Sequence, residues 1–156
     1  MPRQRPVTQV MSPTPITVAP DTSVEDAARL LAQHSIGGAP VVDDEGRLVG
    51  LLDDTDLIVS QARLHAPTTI ELIGAYLTMP GSSHRYAEEL RQALAAVVVD
   101  VMDRNPPAVG TDATVEDVAT LIVDRDVSRV PVVDTDGRVV GIVSRGDVVR
   151  AMASDE

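Results

Sequence analysis

The chain has 156 residues, 44% of them apolar, and a net charge of −11. That apolar share supports a packed core and excludes a disordered chain, and with no Phe and no Trp the core is aliphatic. The negative charge argues against a nucleic-acid or anionic-membrane surface as the main partner.

The absence of cysteine excludes disulfides, thiolate metal sites and thiol catalysis. Every basic residue is arginine, which removes lysine as a nucleophile. No apolar run reaches the roughly 18 residues of a membrane-crossing helix. Met1-Pro2-Arg3-Gln4-Arg5-Pro6 lacks the apolar stretch of a signal peptide. The expectation is a soluble, cytoplasmic protein.

From the N-terminus, Pro15 to Val18 reads as a short extended piece after proline-rich punctuation. Ser23-Val24-Glu25-Asp26 has the pattern of a capping box, and Val24, Ala27, Ala28 and Leu31 keep helical spacing behind it. Two short strands follow, near 39–43 and 47–52, joined by the acidic turn Asp43-Asp44-Glu45-Gly46. A closing helix is predicted near 54–63.

An insertion spans roughly 64–97. Its first part, His65 to Leu77, is ambiguous between helix and strand. Met79-Pro80-Gly81-Ser82-Ser83 is a break. Ser83 then caps a predicted helix through about Ala96, with Tyr86, Leu90 and Leu94 on one face.

The rest repeats the beginning. Offset by 91 residues, Val7 meets Val98, Met11 meets Met102, Pro15 meets Pro106, and Val24-Glu25-Asp26 meets Val115-Glu116-Asp117. Pro40-Val41-Val42-Asp43 meets Pro131-Val132-Val133-Asp134, Gly50 meets Gly141, and Asp56 meets Asp147. The second copy therefore predicts a helix starting at Thr114, strands near 130–134 and 138–143, and a closing helix near 145–152. Each copy has the order β-α-β-β-α. A twofold repeat of this kind suggests a pseudo-symmetric pair sharing one core.

The junction Gly141-Ile142-Val143-Ser144-Arg145-Gly146-Asp147 joins a β-branched strand to a helix start. Ser144 and Asp147 are spaced as a capping box, which alone explains them. A hydroxyl and a carboxylate so placed also suit a ligand carrying a diol. His34, His65 and His84 share no metal-ligand spacing. The acidic turns are better explained as hairpin turns than as calcium loops.

The repeated unit opens near Val-x-x-Val-Met, passes through Pro-Val-Val-Asp and ends in Gly-x-x-Ser-x-x-Asp. It resembles a CBS (cystathionine β-synthase) domain, and the two copies resemble a tandem CBS pair, or Bateman module. The resemblance covers a first unit at 7–63 and a second at 98–152. It implies an α/β (α+β) fold of two β-α-β-β-α units packed through their sheets, with the partly helical 64–97 insertion between them. It further implies a homodimer and an adenosine-containing ligand (AMP, ADP, ATP or S-adenosylmethionine) held in clefts between the copies.

By that resemblance Ser144 and Asp147 hold ribose hydroxyls. In the first copy Asp56 is kept, while Asp53 stands where Ser or Thr is expected. Arg129 occupies a phosphate-contacting position whose counterpart is Gly38, and either cleft is open to it. Arg145 also lies within reach of phosphate. Ile16-Thr17 and Pro107-Ala108 match segments that contact adenine through backbone.

The expected function is a regulatory pair that binds an adenosine-type ligand and signals to a partner protein, with no required cofactor, no metal and no catalysis. The alternative is a ligand-free structural or dimerisation module. Mutating Asp147 separates the two.

Overall fold

The computed structural model describes residues 4–65 and 97–154. The predicted insertion helix ending near Ala96 lies outside the described residues.

In the first copy, β1 is Ser12–Pro13, α1 Val24–Gln33, β2 Gly38–Val42, β3 Leu48–Asp53 and α2 Asp54–His65. In the second, α3 is Val98–Val101, β4 Val109–Gly110, α4 Val115–Asp124, β5 Arg129–Val133, β6 Val139–Ser144 and α5 Arg145–Ala153. The architecture is the mixed α/β fold of two repeats that the sequence predicts.

Local chemistry sets the helix starts. Ser23 Oγ accepts from Asp26 N–H at 3.1 Å to cap α1. Thr114 Oγ1 accepts from Asp117 N–H at 3.3 Å, and Thr114 N–H donates to Asp117 Oδ2 at 2.9 Å, completing the capping box of α4. Ala27 and Leu31, and in the second copy Val115 and Val118, are the buried faces. Both helices end in a Schellman turn: Ile36 N–H donates to Leu31 O at 3.0 Å and Val127 N–H to Ile122 O at 3.2 Å. The left-handed position falls on Ser35 (φ 51°) and Asp126 (φ 50°) rather than on glycine.

Each copy's two main strands form an antiparallel hairpin, β2 with β3 and β5 with β6. Asp43 Oδ1 accepts from Glu45 N–H and Arg47 N–H, each at 2.9 Å. Asp134 Oδ1 does the same for Asp136 at 2.9 Å and Arg138 at 3.0 Å. Gly46 and Gly137, at φ 81° and 83°, supply the positive φ of the turns. These carboxylates are consumed by the turns, as the hairpin interpretation expects. The turns also meet each other. Leu48 N–H donates to Gly137 O and Val139 N–H to Gly46 O, both at 3.0 Å, so the two hairpins are stitched across the pseudo-twofold.

The predicted extended pieces become the parallel edge of each sheet. Val18 makes a bridge to Val41, and β4 pairs in parallel with β5.

In place of the single shared core expected of the pair, the buried residues form two clusters, and the copies exchange their opening segments between them. Val7, fully buried, packs among Val118, Val130, Val132 and Val143 of the second copy. Val98, also fully buried, packs among Ala27, Val41 and Leu52 of the first. The backbone follows: Val7 N–H donates to Ala113 O, and Val98 N–H to Thr22 O, each at 2.8 Å. β1 adds to the second copy's sheet, with Ser12 opposite Ile142, and Asp103 bridges to Leu51 in the same manner. Gly141 and Gly50 permit this exchange. A β-carbon at either would collide with the sulfur of Met11 or Met102, respectively.

Candidate functional site

A cleft of about 490 Å³ opens between the copies. One wall is the turn from β3 into α2: Leu51, Asp53, Asp54, Thr55 and Asp56. The other is Asp126, Val127, Ser128 and Arg145 of the second copy, with Asp103 of the exchanged segment at the edge. The exchange is what brings Asp103 there, since Leu51 N–H donates to Asp103 O at 3.0 Å and Asp103 N–H to Leu51 O at 2.9 Å.

Asp53 organises this cleft. Its Oδ1 accepts from Thr55 N–H at 3.2 Å and from the Thr55 hydroxyl at 3.1 Å, serving as the cap of α2. Its Oδ2 accepts from Ser128 Oγ at 2.8 Å and from Arg129 Nη1 at 2.9 Å, both from the other copy. Arg129 Nη1 also donates to Gly37 O at 2.9 Å. The guanidinium fits because its slot in the first copy is glycine. A β-carbon on Gly37 would lie 2.7 Å from Arg129 Nη2, and one on Gly38 would strike Arg129 and sit 2.6 Å from Leu52 O. The sequence leaves two clefts open to Arg129; the structure turns it to the first copy's side.

Burial raises the Asp53 carboxyl, but hydrogen bonds from Asp54, Ser128 and the Thr55 backbone, with the Arg129 charge, outweigh it and lower the group to about 2. Asp54 moves up, first because it shares a hydrogen bond with Asp53, then through burial and the Asp53 charge. Asp56 is also raised, chiefly by burial, with the charges of Asp53 and Asp103 adding. Asp56 Oδ2 accepts from Asp53 N–H at 2.9 Å, and no described residue donates to its Oδ1. That oxygen can accept from a ligand hydroxyl.

The equivalent turn in the second copy is occupied differently. Ser144 Oγ accepts from Asp147 N–H at 3.2 Å and Ser144 N–H donates to Asp147 Oδ2 at 2.9 Å, the complete capping box. Arg150 Nη2 donates to Asp147 Oδ1. Both oxygens of Asp147 are therefore engaged. Ser144 and Asp147 do not line the cleft described above, nor do Arg129, Ile16, Thr17, Pro107 and Ala108. Ile16 is half-buried and Thr17 exposed; Pro107 is buried and Ala108 exposed.

Of the residues singled out from sequence, Asp53, Asp56 and Arg145 line the cleft. Arg145 Nε donates to Val127 O at 3.3 Å, and Nη2 lies 3.7 Å from Asp126 Oδ1. Asp103, Asp126 and Ser128 were not picked out. Ser128 stands beside Arg129, which the motif does mark, and Asp103 follows the repeated Met102. Among the described residues no group of three His, Cys, Asp or Glu side chains is placed to hold a metal ion, and no helix is long and apolar enough to cross a membrane.

A family model described as CBS domain matches residues 7–62 and 98–154. An uncharacterized protein of Methanocaldococcus jannaschii, MJ1426, is 35% identical over 144 residues, covering 88% of this chain and 86% of that protein. The chloroplastic CBS domain-containing protein CBSX2 of Arabidopsis thaliana is 36% identical over 141 residues, 86% of this chain; the chain spans 57% of its length. A crystal structure of CBSX2 in complex with AMP superimposes with a TM-score of 0.74 at 32% identity, covering 97% of this chain and 98% of that one. The CBS domain pair of protein MJ0100, in complex with 5′-methylthioadenosine and S-adenosyl-L-methionine, gives a TM-score of 0.70 at 28% identity, covering 97% and 98%.

Proposed function

The chain belongs to the CBS domain family as a tandem pair, and on that premise we propose that it is a non-catalytic sensor that binds an adenosine-containing ligand between its copies and passes the signal to another protein. The observation that carries this is the cleft of about 490 Å³ lined by both copies, with Asp56 at the start of a helix and an oxygen to which no described residue donates. A carboxylate there accepts from a ribose diol. Neighbours of the same fold hold AMP, or 5′-methylthioadenosine and S-adenosylmethionine.

In this proposal the cleft of Asp56 is the principal site. Arg145 faces it, and Arg129 braces it from behind through Asp53. Ser144 and Asp147, with Ile16-Thr17 and Pro107-Ala108 as backbone contacts to a base, belong to a second, pseudo-symmetric arrangement in which Arg150 sits on Asp147. Because the cleft is built from both copies, occupancy biases the angle between them, and a partner reads that angle.

A second proposal, assembly alone, draws on the closing helices. Ile58 and Val149, at equivalent positions of α2 and α5, are 65% and 62% exposed, and Met152 is 65% exposed. Such faces suit a homodimer. The two proposals are separated by thermal unfolding against adenosine, 5′-methylthioadenosine, S-adenosylmethionine, AMP and ATP, with GTP as control. A bound ligand at about 100 times its Kd stabilises by about 2.7 kcal/mol and raises Tm by roughly 5–10 °C. A flat panel at millimolar ligand on folded protein rejects the sensor and leaves assembly.

A further inference from the structure

We propose that Asp53 makes the cleft of Asp56 select nucleosides whose 5′ substituent carries no net negative charge, at the expense of those bearing 5′-phosphates. The proposal rests on the ligand-binding function put forward above and names the class of ligand for that same site.

The cleft is lined by five aspartates, Asp53, Asp54, Asp56, Asp103 and Asp126, and by one arginine, Arg145. Arg145 is already turned towards Val127 O and Asp126. The neighbouring cation, Arg129, is only 15% exposed and is gripped by Asp53 Oδ2 and Gly37 O. Ser128, the adjacent hydroxyl donor, is spent on the same Asp53 oxygen. Asp53 therefore occupies Ser128 and Arg129, two of the donors a phosphate oxygen would use, and leaves the exposed Arg145 to face five carboxylates. A phosphate that draws on Ser128 or Arg129 has to displace the Asp53 carboxylate and then remain beside it.

None of this opposes the nucleoside itself. A diol asks only for an acceptor, which Asp56 Oδ1 supplies; a neutral thioether in the 5′ position meets an acidic wall without repulsion, and a sulfonium chain meets it with its two positive charges outweighing its one carboxylate. The selection is local to one copy. Serine stands at the equivalent position of the other, where Ser144 caps α5 without reaching across.

The test is calorimetric titration of the full chain with adenosine, 5′-methylthioadenosine, S-adenosylmethionine, AMP and ATP, each also in an Asp147→Asn variant so that only the cleft of Asp56 contributes. The expected result is AMP and ATP at least tenfold weaker than 5′-methylthioadenosine. Asp53→Ser keeps a capping hydroxyl and frees Arg129 and Ser128; it is expected to improve AMP binding at least tenfold while 5′-methylthioadenosine changes less than threefold. Equal affinities for AMP and 5′-methylthioadenosine in the Asp147→Asn protein overturn the proposal, whether or not Asp53→Ser folds. So does an unchanged ratio in Asp53→Ser. If no nucleoside binds any of these proteins, ligand binding itself is refuted, and the selectivity with it.

Discussion

The two strand-to-helix turns share an offset, a backbone path and a carboxylate, yet they do different work. In the second copy Ser144 and Asp147 close a capping box within their own helix, and Arg150 of that helix completes it. In the first copy Asp53 caps α2 with one oxygen and holds Ser128 and Arg129 of the other copy with its second. One turn is self-contained and the other is a clasp between copies. The difference comes from two paired departures from the repeat: aspartate for serine at 53, and glycine for arginine at 38, which clears the slot that Arg129 enters. A duplicated unit can thus keep its fold while one junction is recruited to join the copies.

The comparison breaks most visibly at Asp53. Asp53→Ala leaves a largely buried guanidinium without its carboxylate and removes a helix cap, at an expected cost of about 3 kcal/mol in urea unfolding. A cost below about 1 kcal/mol would mean the clasp contributes little. Acid acts on the same contact. The folded Asp53 lies near 2, below its ordinary 3.8, so its contribution is fully present above about pH 4 and is lost as pH falls towards 2. Asp54 and Asp56 are shifted upward, so they act in the opposite sense and favour the folded state more as pH falls through their range. The stability gap between the parent and Asp53→Ala is therefore expected to shrink between pH 7 and pH 2.5; a gap independent of pH would contradict this.

The exchanged segments sharpen the likeness between copies. Val7 and Val98 are each fully buried in the other copy's core. Val7→Ala and Val98→Ala should each cost about 2 kcal/mol, by the same cavity mechanism. A much smaller loss for Val7 would show that the N-terminal exchange is loose. The smallest effect is expected at Ser144→Ala, about 1 kcal/mol for a cap with no reach beyond its own helix.

What the sequence made legible was local. Ser23 and Thr114 announced their helices because a cap needs only the next turn of chain. The hairpins were legible for the same reason, through Asp43, Gly46, Asp134 and Gly137. The exchange was not, because Val7 and Val98 occupy the same place in the repeat: the pattern is equally satisfied by packing on one's own copy or on the other. The clasp joins residues 76 apart in the chain, so no local periodicity reports it. Its trace in the sequence was the coincidence of two compensating departures, Asp53 and Gly38. Each taken alone was only a departure from the repeat.

The most direct test of the account is calorimetric titration with 5′-methylthioadenosine, comparing Asp56→Ala with Asp147→Ala. If the cleft joined by Asp53 is the principal site, the tight binding event disappears in Asp56→Ala and persists in Asp147→Ala. Loss of that event in Asp147→Ala with retention in Asp56→Ala would place the ligand at the other turn and contradict the account.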